Sequence, residues 1–473
     1  MVVALRASVS LHVGQRSDSL LYLIISGGWD SFQEKLHRIG RFLPRHAERE
    51  VEGFLACGDA AEGFAWIQCR RCAAHELVTF SCKGRGFCPT CGGRRMNSFA
   101  ARWVDGVFPR VPVRQFVLTV PWARRWLLAR RPDLARGCLS IGLREIQRWM
   151  RERTGCRQGR GGSVTVIQRF GSALNLNVHF HALVIDGVYD VDSRTGRLRF
   201  HRAKGIRTED VERLILRISE RCERWLSRQG EGDSSEDQDS ALPFLHGASV
   251  MGKAALGKRG GRRVRRVQTF AGRDHALPSK CASCMGYSLH AAVMIPRRDR
   301  AGLERLCRYV ARPPLAQERL EEVSEGTYKL TLKTPWSDGT GSLLLDRMEV
   351  IGRLVSLIPP PRANQVLYHG IFAPRSKYRR QILPMYKQKK VLNPETLRLT
   401  NKEQGEKSRW MLWAELMKRV FQEDVSCCVR CGGRMELRAV VIRPPATLKV
   451  LAGLVRSERG RDPPGEVTGW GSE

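Results

Sequence analysis

Apolar residues along the chain recur with two different periods, and the switches between them outline the elements. The run Gln115-Phe-Val-Leu-Thr-Val-Pro121 predicts a strand stopped at its proline. Leu139, Leu143, Ile146 and Met150 fall on one helical face and predict a helix over residues 136–151. Residues 163–170 and 176–185 are dense in β-branched and apolar side chains, and the turn material Gly171-Ser-Ala between them predicts a hairpin. Shorter strands are expected at residues 188–189 and 198–201. A helix is then expected over 208–229, with Val211, Leu214, Ile215, Ile218 and Trp225 on its apolar side. Residues 287–296 predict a buried strand, and residues 299–310 a helix stopped by Pro313-Pro314. A strand at 327–334 and a helix at 347–357 follow. Near the start, Phe32, Leu36 and Ile39 give an amphipathic stretch from Trp29 to Phe42. Strands and helices mixed in this order describe an α+β protein.

Charge changes the picture next. The chain has 473 residues with 81 Lys plus Arg against 47 Asp plus Glu, a net +34 spread over its length, so its partner is expected to be a polyanion. With 27% charged and 42% apolar residues it is neither a disordered polyelectrolyte nor a polytopic membrane protein. The apolar run Leu20 to Ile25 is too short to span a bilayer or to form a signal-peptide core. No membrane partner is expected, and the location expected is the bacterial cytoplasm, in association with the nucleoid. Residues 230–240 form an acidic insert, whereas Lys258-Arg-Gly-Gly-Arg-Arg-Val-Arg-Arg266 is cationic and loosened by glycine. The second segment is expected to be an arm that contacts phosphates through Arg262, Arg263, Arg265 and Arg266 rather than a folded element. Residues 375–390 are also strongly basic.

Fifteen cysteines in a reducing compartment point to metal before disulfides. Six lie between Cys57 and Cys91 in a segment too short for an apolar core of its own. Cys69-x2-Cys72 and Cys88-x2-Cys91 are two knuckles, and their spacing predicts a four-thiolate structural zinc site. Cys57 and Cys82 are available as further ligands, and His75 is a weaker candidate. Cys428-Val-Arg-Cys431 repeats the knuckle near the end of the chain with only Cys427 beside it and no second pair nearby.

His179-Phe-His181 lies within an apolar strand, so its two imidazoles share one face while Phe180 takes the other. Such a pair can seat a divalent ion. Gln168, opposite His179 if the hairpin turns near Ala173 and Leu174, is a candidate third ligand, and His290 in the later strand competes with it. Tyr309 falls just outside the stripe of Leu303, Leu306, Cys307 and Val310, with Arg308 and Arg312 close by. A phenol next to a divalent ion is a candidate nucleophile toward a phosphodiester. Each motif also has a purely structural reading, in which the histidines and the tyrosine are hydrogen-bonded core residues.

Taken together and in order, these motifs resemble the HUH rolling-circle endonucleases, and more narrowly the transposases of the IS ninety-one family and the related insertion-sequence common-region elements. The resemblance rests on Leu118-Thr119, Phe80-Ser-Cys-Lys-Gly-Arg-Gly-Phe-Cys-Pro-Thr-Cys91, Asn177-Val-His-Phe-His-Ala-Leu-Val-Ile-Asp-Gly187, Arg308-Tyr-Val-Ala-Arg-Pro-Pro314 and Tyr368-His-Gly-Ile-Phe-Ala-Pro374. It covers roughly residues 43–435. It implies an HUH-type antiparallel sheet flanked by helices, preceded by a small zinc-ribbon-like module. It also implies an enzyme that nicks and rejoins single-stranded DNA at element termini and target through a covalent 5′-phosphotyrosine, driving rolling-circle transposition with structural Zn2+ and catalytic Mg2+ or Mn2+. Founding members of the family carry two tyrosines four residues apart; here the earlier position is Arg305, leaving Tyr309 alone as in the common-region branch. The organisation expected is a helical segment at 1–46, a zinc-binding domain at 47–100 and the catalytic domain at 110–320, with its basic insert near 258–266. A basic region at 321–473 follows, bearing the knuckle at 428–431. Two rivals remain on sequence alone: an HUH replication initiator or relaxase of a plasmid, and a non-catalytic zinc-finger DNA-binding regulator.

Overall fold

A computed structural model of the chain describes residues 9–11, 19–203, 205–229, 239–269, 278–384, 418–419, 424–442 and 444–458. Most of the acidic insert, the basic run beyond residue 384 and the final residues after 458 lie outside the described residues. The chain divides into two units, one drawn from Met1–Leu23, Arg49–Gly84 and Trp410–Glu473, the other from Ile24–Glu48 and Arg85–Arg409. Among the described residues no helix is long and apolar enough to cross a membrane.

The larger unit is built on a seven-stranded, wholly antiparallel sheet. Strand Val113–Thr119 pairs with Leu176–Ile185, which pairs with Gly162–Phe170, which pairs with Val366–Gly370 at one edge. On the other side of Val113–Thr119 lie Tyr287–His290 and then Cys281–Cys284, with the short strand Met294–Ile295 also pairing there. The expected buried strand at 287–296 is thus two strands, interrupted at residues 291–293. The expected hairpin forms with Gln168 directly opposite His179.

Period-two alternation gives this sheet two different faces. Val113, Val164, Val166, Leu183 and Ile185 pack with Leu303, Leu306, Cys307 and Val310 of the helix Arg300–Val310. The alternate residues, among them the fully buried Phe116 and Phe180, face the other way, toward the layer of the helix Pro132–Thr154. In that helix Gly142 stands where a Cβ would come within 2.9 Å of a Leu118 methyl, so the absent side chain lets helix and sheet close up. At the sheet's centre Arg114 makes a double hydrogen bond to Asp186, at 2.8 and 3.0 Å, and donates also to the Ala291 carbonyl. Both charged side chains are buried, and removing one partner of such a pair typically costs about 3–5 kcal/mol. Asp186 closes the His179 strand, so this pair fixes that strand's end.

The sequence expectation for the cationic segment 258–266 does not hold as stated. Ala254, Leu256 and Val264 are buried. Their backbone bonds close the segment into a turn, with Ala254 N–H donating to Arg262 O and Val264 N–H to Gly252 O. Arg265–Gln268 then form a strand that pairs with Thr340–Asp346 in a second, four-stranded sheet. Apolar anchors placed among the arginines convert an arm into a folded loop; Arg262, Arg263, Arg265 and Arg266 still point to solvent.

In the smaller unit, strands Phe64–Cys69 and His75–Thr79 pair antiparallel, Val9–Leu11 lies parallel to the latter, and Met435–Val441 adds to the former. Phe64, Leu77 and Val441 form its core, with Trp66, Ala439, Val450 and Leu451 packed against it. A segment too short to make its own core is therefore completed from the far end of the chain.

Candidate active site and cysteine clusters

His179 and His181 share the sheet face covered by the helix Arg300–Val310, their ring centroids 4.9 Å apart. Tyr309, near the end of that helix, sets its ring edge-on to His181 at 6.0 Å and 87°. The three residues that spacing singled out thus meet at one place. Asn177 O accepts from His179 Nδ1 at 2.9 Å, which leaves Nε2 with its lone pair free to ligate. On His181, Nδ1 lies 2.8 Å from the Gln115 carboxamide, while Nε2 is buried with no hydrogen-bond partner. A carboxamide has the same shape either way up, so Gln115 can accept the Nδ1 proton on its oxygen and leave Nε2 free for a ligand role. Burial, reinforced by nearby cations, lowers both imidazoles, His179 to about 4, so both are neutral at physiological pH.

Gln168 links the two halves of the site. Its Nε2 donates to Val310 O at 2.7 Å, at the end of the tyrosine helix, while its Oε1 is buried and unpartnered. Gln168 opposes His179 on the sheet face that carries both imidazoles, and an orphaned amide oxygen and an orphaned imidazole nitrogen on one face are a donor set suited to a divalent ion. His290 sits further off. It lies opposite Val117, which lies opposite His181, so two strand spacings, about 9.6 Å, separate the backbones of the two histidines.

Tyr309 is 39% exposed, enough to meet a substrate. The Arg312 guanidinium lies 4.4 Å and the Lys333 ammonium 4.1 Å from its ring centre. Burial acts to raise the phenol's pKa; Arg312 and Lys333 outweigh it and hold the group below its ordinary value. Arg308 is instead paired with Glu304 at 2.6 Å. Arg305, at the position of the family's other tyrosine, is exposed. Sequence reasoning missed two members of the site. Lys333 arrives from a loop 24 residues further along, which no spacing rule reaches; Gln115, a polar residue inside an apolar strand, carried a legible signal.

The cysteines assemble differently from the expected shell. Cys69 and Cys72 come together with Cys428 and Cys431, all four sulfurs within 4.8 Å of one another. Sγ–Sγ distances are 3.5 Å from Cys69 to Cys431 and 3.6 Å from Cys72 to Cys428. The edge of a tetrahedron with Zn–S of 2.3 Å is about 3.8 Å, so the set fits zinc as it stands. The Cys72 and Arg71 amides lower the Cys69 thiol to about 6, supplying a thiolate at neutral pH. Cys88 and Cys91, expected in the same shell, are not members of this set. The late knuckle finds its missing pair across the sheet seam of Phe64–Cys69 and Met435–Val441. Elsewhere Cys57 Sγ accepts from Cys82 N–H at 2.9 Å, and Cys88 caps the helix Pro89–Arg102 by accepting from Cys91 N–H. His75 is engaged with the Trp66 indole.

Two family models match the chain. Residues 162–380 match one described as "Putative transposase", and residues 24–120 one described as "Transposase zinc-binding domain". No curated protein and no solved structure matches. The first match spans the histidine strand, Tyr309 and Lys333, and the second spans the six early cysteines. The two matches support an IS ninety-one-type transposase with an N-terminal zinc-binding domain. Its partner is accordingly DNA, and its cysteine clusters fit structural zinc.

Proposed function

We propose that the protein nicks and rejoins single-stranded DNA through a covalent 5′-phosphotyrosine at Tyr309, driving rolling-circle transposition. The observation that carries this reading is the meeting of Tyr309, flanked by two cations, with the His179–His181 pair and its unpartnered buried donors. His179, His181 and Gln168 would hold Mg2+ or Mn2+, which when bound supplies Lewis-acid polarisation of the scissile phosphate. Arg312 and Lys333 favour the phenolate and pair with phosphate oxygens of the strand. The Tyr309 oxygen bonds to phosphorus, the bond from phosphorus to the 3′ oxygen breaks, and that oxygen leaves as a 3′ hydroxyl after taking up a proton. Rejoining reverses the step: a 3′ hydroxyl attacks the phosphotyrosine and releases the phenol. One tyrosine suffices for each nick and each joining. Arg262, Arg263, Arg265 and Arg266, exposed on the folded loop, add phosphate contacts. The test is incubation with end-labelled single-stranded and duplex oligonucleotides carrying an element terminus. A slowly migrating adduct on denaturing gels is expected from the single strand with Mg2+ or Mn2+ and not after chelation; cleavage that leaves no adduct would overturn the reading.

Structural zinc in this proposal is held by Cys69, Cys72, Cys428 and Cys431, a set able to hold a metal ion. Metal-binding energy there substitutes for a small core. Elemental analysis of the purified chain should return at least one zinc per molecule, and one fewer in Cys428→Ser. An unchanged zinc content in that variant would remove the late knuckle from the ligand set.

A further inference from the structure

The sheet face opposite the histidine pair carries a cationic cleft that the proposed chemistry does not use. Its volume is about 750 Å³, and it lies between the helix Pro132–Thr154, the strand Val366–Gly370 and the residues that follow that strand. Arg144, Arg151, Arg160, Arg375 and Lys377 line it, and no carboxylate does. Among the described residues none of these five has an ion-pair partner. On the cleft's floor Ser163 and His369 are directly opposed across the edge of the sheet. Ser163 is 1% exposed with its hydroxyl unpartnered, and His369 Nδ1 is unpartnered as well. Arg144 and Arg151 also line an adjoining 440 Å³ hollow with Arg148, Arg221, Arg224 and Trp225. Of these, Arg148 and Arg221 are partly satisfied by Glu145.

Like charges converging on a wall without acids repel one another, and a buried hydroxyl without a partner is costly. A phosphate oxygen relieves both at once. Because the two hollows share Arg144 and Arg151, the cations form a continuous track, longer than one free anion needs. Each hollow is lined by one aromatic ring: Tyr378, beneath the Arg160 guanidinium at 5.1 Å, in the larger and Trp225 in the smaller. Cations along a groove with aromatic side chains beside them are the pattern that holds a nucleic-acid strand independently of its sequence.

We propose that this cleft is a second DNA site, which grips the phosphodiester backbone of a strand segment other than the one presented to Tyr309. The seat at its floor takes one phosphate on Ser163 and His369, and the arginines follow the neighbouring phosphates. Fluorescence anisotropy of the full chain with labelled forty-residue oligothymidylate tests it. The combined Arg144→Gln, Arg151→Gln, Arg160→Gln variant should bind at least about ten-fold more weakly at 0.1 M salt. Its plot of log affinity against log salt should be shallower by about 2, roughly 0.7 per lost phosphate contact. Ser163→Ala, which removes one buried oxygen, should weaken binding about three-fold, and the three arginines changed together to lysine should keep the wild-type slope. An unchanged slope in the glutamine variant overturns the proposal. So does equal loss in the lysine variant. Should the glutamine variant fail to fold, the Ser163→Ala and lysine results decide alone. Titration with inorganic phosphate is the remaining arm: Ser163-dependent phosphate binding together with unaltered oligonucleotide affinity would make this a small-anion site and remove DNA from it.

Discussion

Tyr309→Phe will bind single-stranded DNA as the unaltered protein does and form no covalent adduct. The substitution deletes one oxygen from a ring whose packing against His181, Arg312 and Lys333 is otherwise preserved, so folding and the electrostatic footprint survive. Cleavage should fall by at least about 10⁴-fold, roughly 5.4 kcal/mol of lost barrier reduction. A denaturing gel of end-labelled strand reads the result directly. Two other tyrosines are poorly placed to take over. Tyr328 is buried, with Arg347 donating to its hydroxyl, and the Tyr368 hydroxyl accepts from the Trp103 indole at 3.0 Å. An adduct persisting in the phenylalanine variant would mean that one of them attacks, and the mechanism would have to be withdrawn. The lowered phenol also has a sign. Cleavage by the unaltered protein should rise with pH as Tyr309 ionises and level off below pH 10, the ordinary tyrosine value. Lys333→Ala should move that limb to higher pH, because a cation that stabilises the phenolate has gone.

How far the sequence reached depended on how local each relationship is. The histidine pair was legible because strand geometry alone puts residues two apart on one face, and the hairpin register followed from a short turn, so Gln168 stands opposite His179 as expected. The tyrosine helix was legible from its stripe and its proline stop. What spacing could not give was partnership over long separations. The Cys428 knuckle looked incomplete because its partners lie 356 and 362 residues away, and only pairing of Met435–Val441 with Phe64–Cys69 brings them together. Joining the two nearest knuckles was the natural reading of local sequence, and the chain's far end overrides it. Lys333 was invisible for the same reason. The basic loop differs in another way: its density of arginines points to an arm, while two isolated apolar residues, Leu256 and Val264, are buried and fold it.

His181→Ala should be the most damaging change outside the nucleophile. Its Nε2 is buried without a partner on the sheet face that also carries Gln168, whose Oε1 is equally orphaned, and its other nitrogen is held by Gln115. Replacing the imidazole leaves His179 as the sole nitrogen donor, too few for a tight divalent seat. Cleavage should fall by about 10³- to 10⁴-fold, on the order of 4–5 kcal/mol, with single-strand affinity changed less than two-fold, because the DNA footprint comes from arginines and lysines. Gln115→Leu tests the support of the seat and should cost about 10- to 100-fold, the usual range for a residue that orients a metal ligand. Gln168 and His290 then separate by geometry. Gln168→Ala removes the orphaned oxygen and also the bond to Val310 O that ties down the tyrosine helix, so both the Mg2+ or Mn2+ concentration for half-maximal cleavage and the maximal rate should suffer. His290→Ala, two strands from His181, should leave the metal dependence where it was. If instead the metal requirement moves with His290 and not with Gln168, the strand Tyr287–His290 must approach the histidine pair during the reaction, and the third ligand assigned here is wrong.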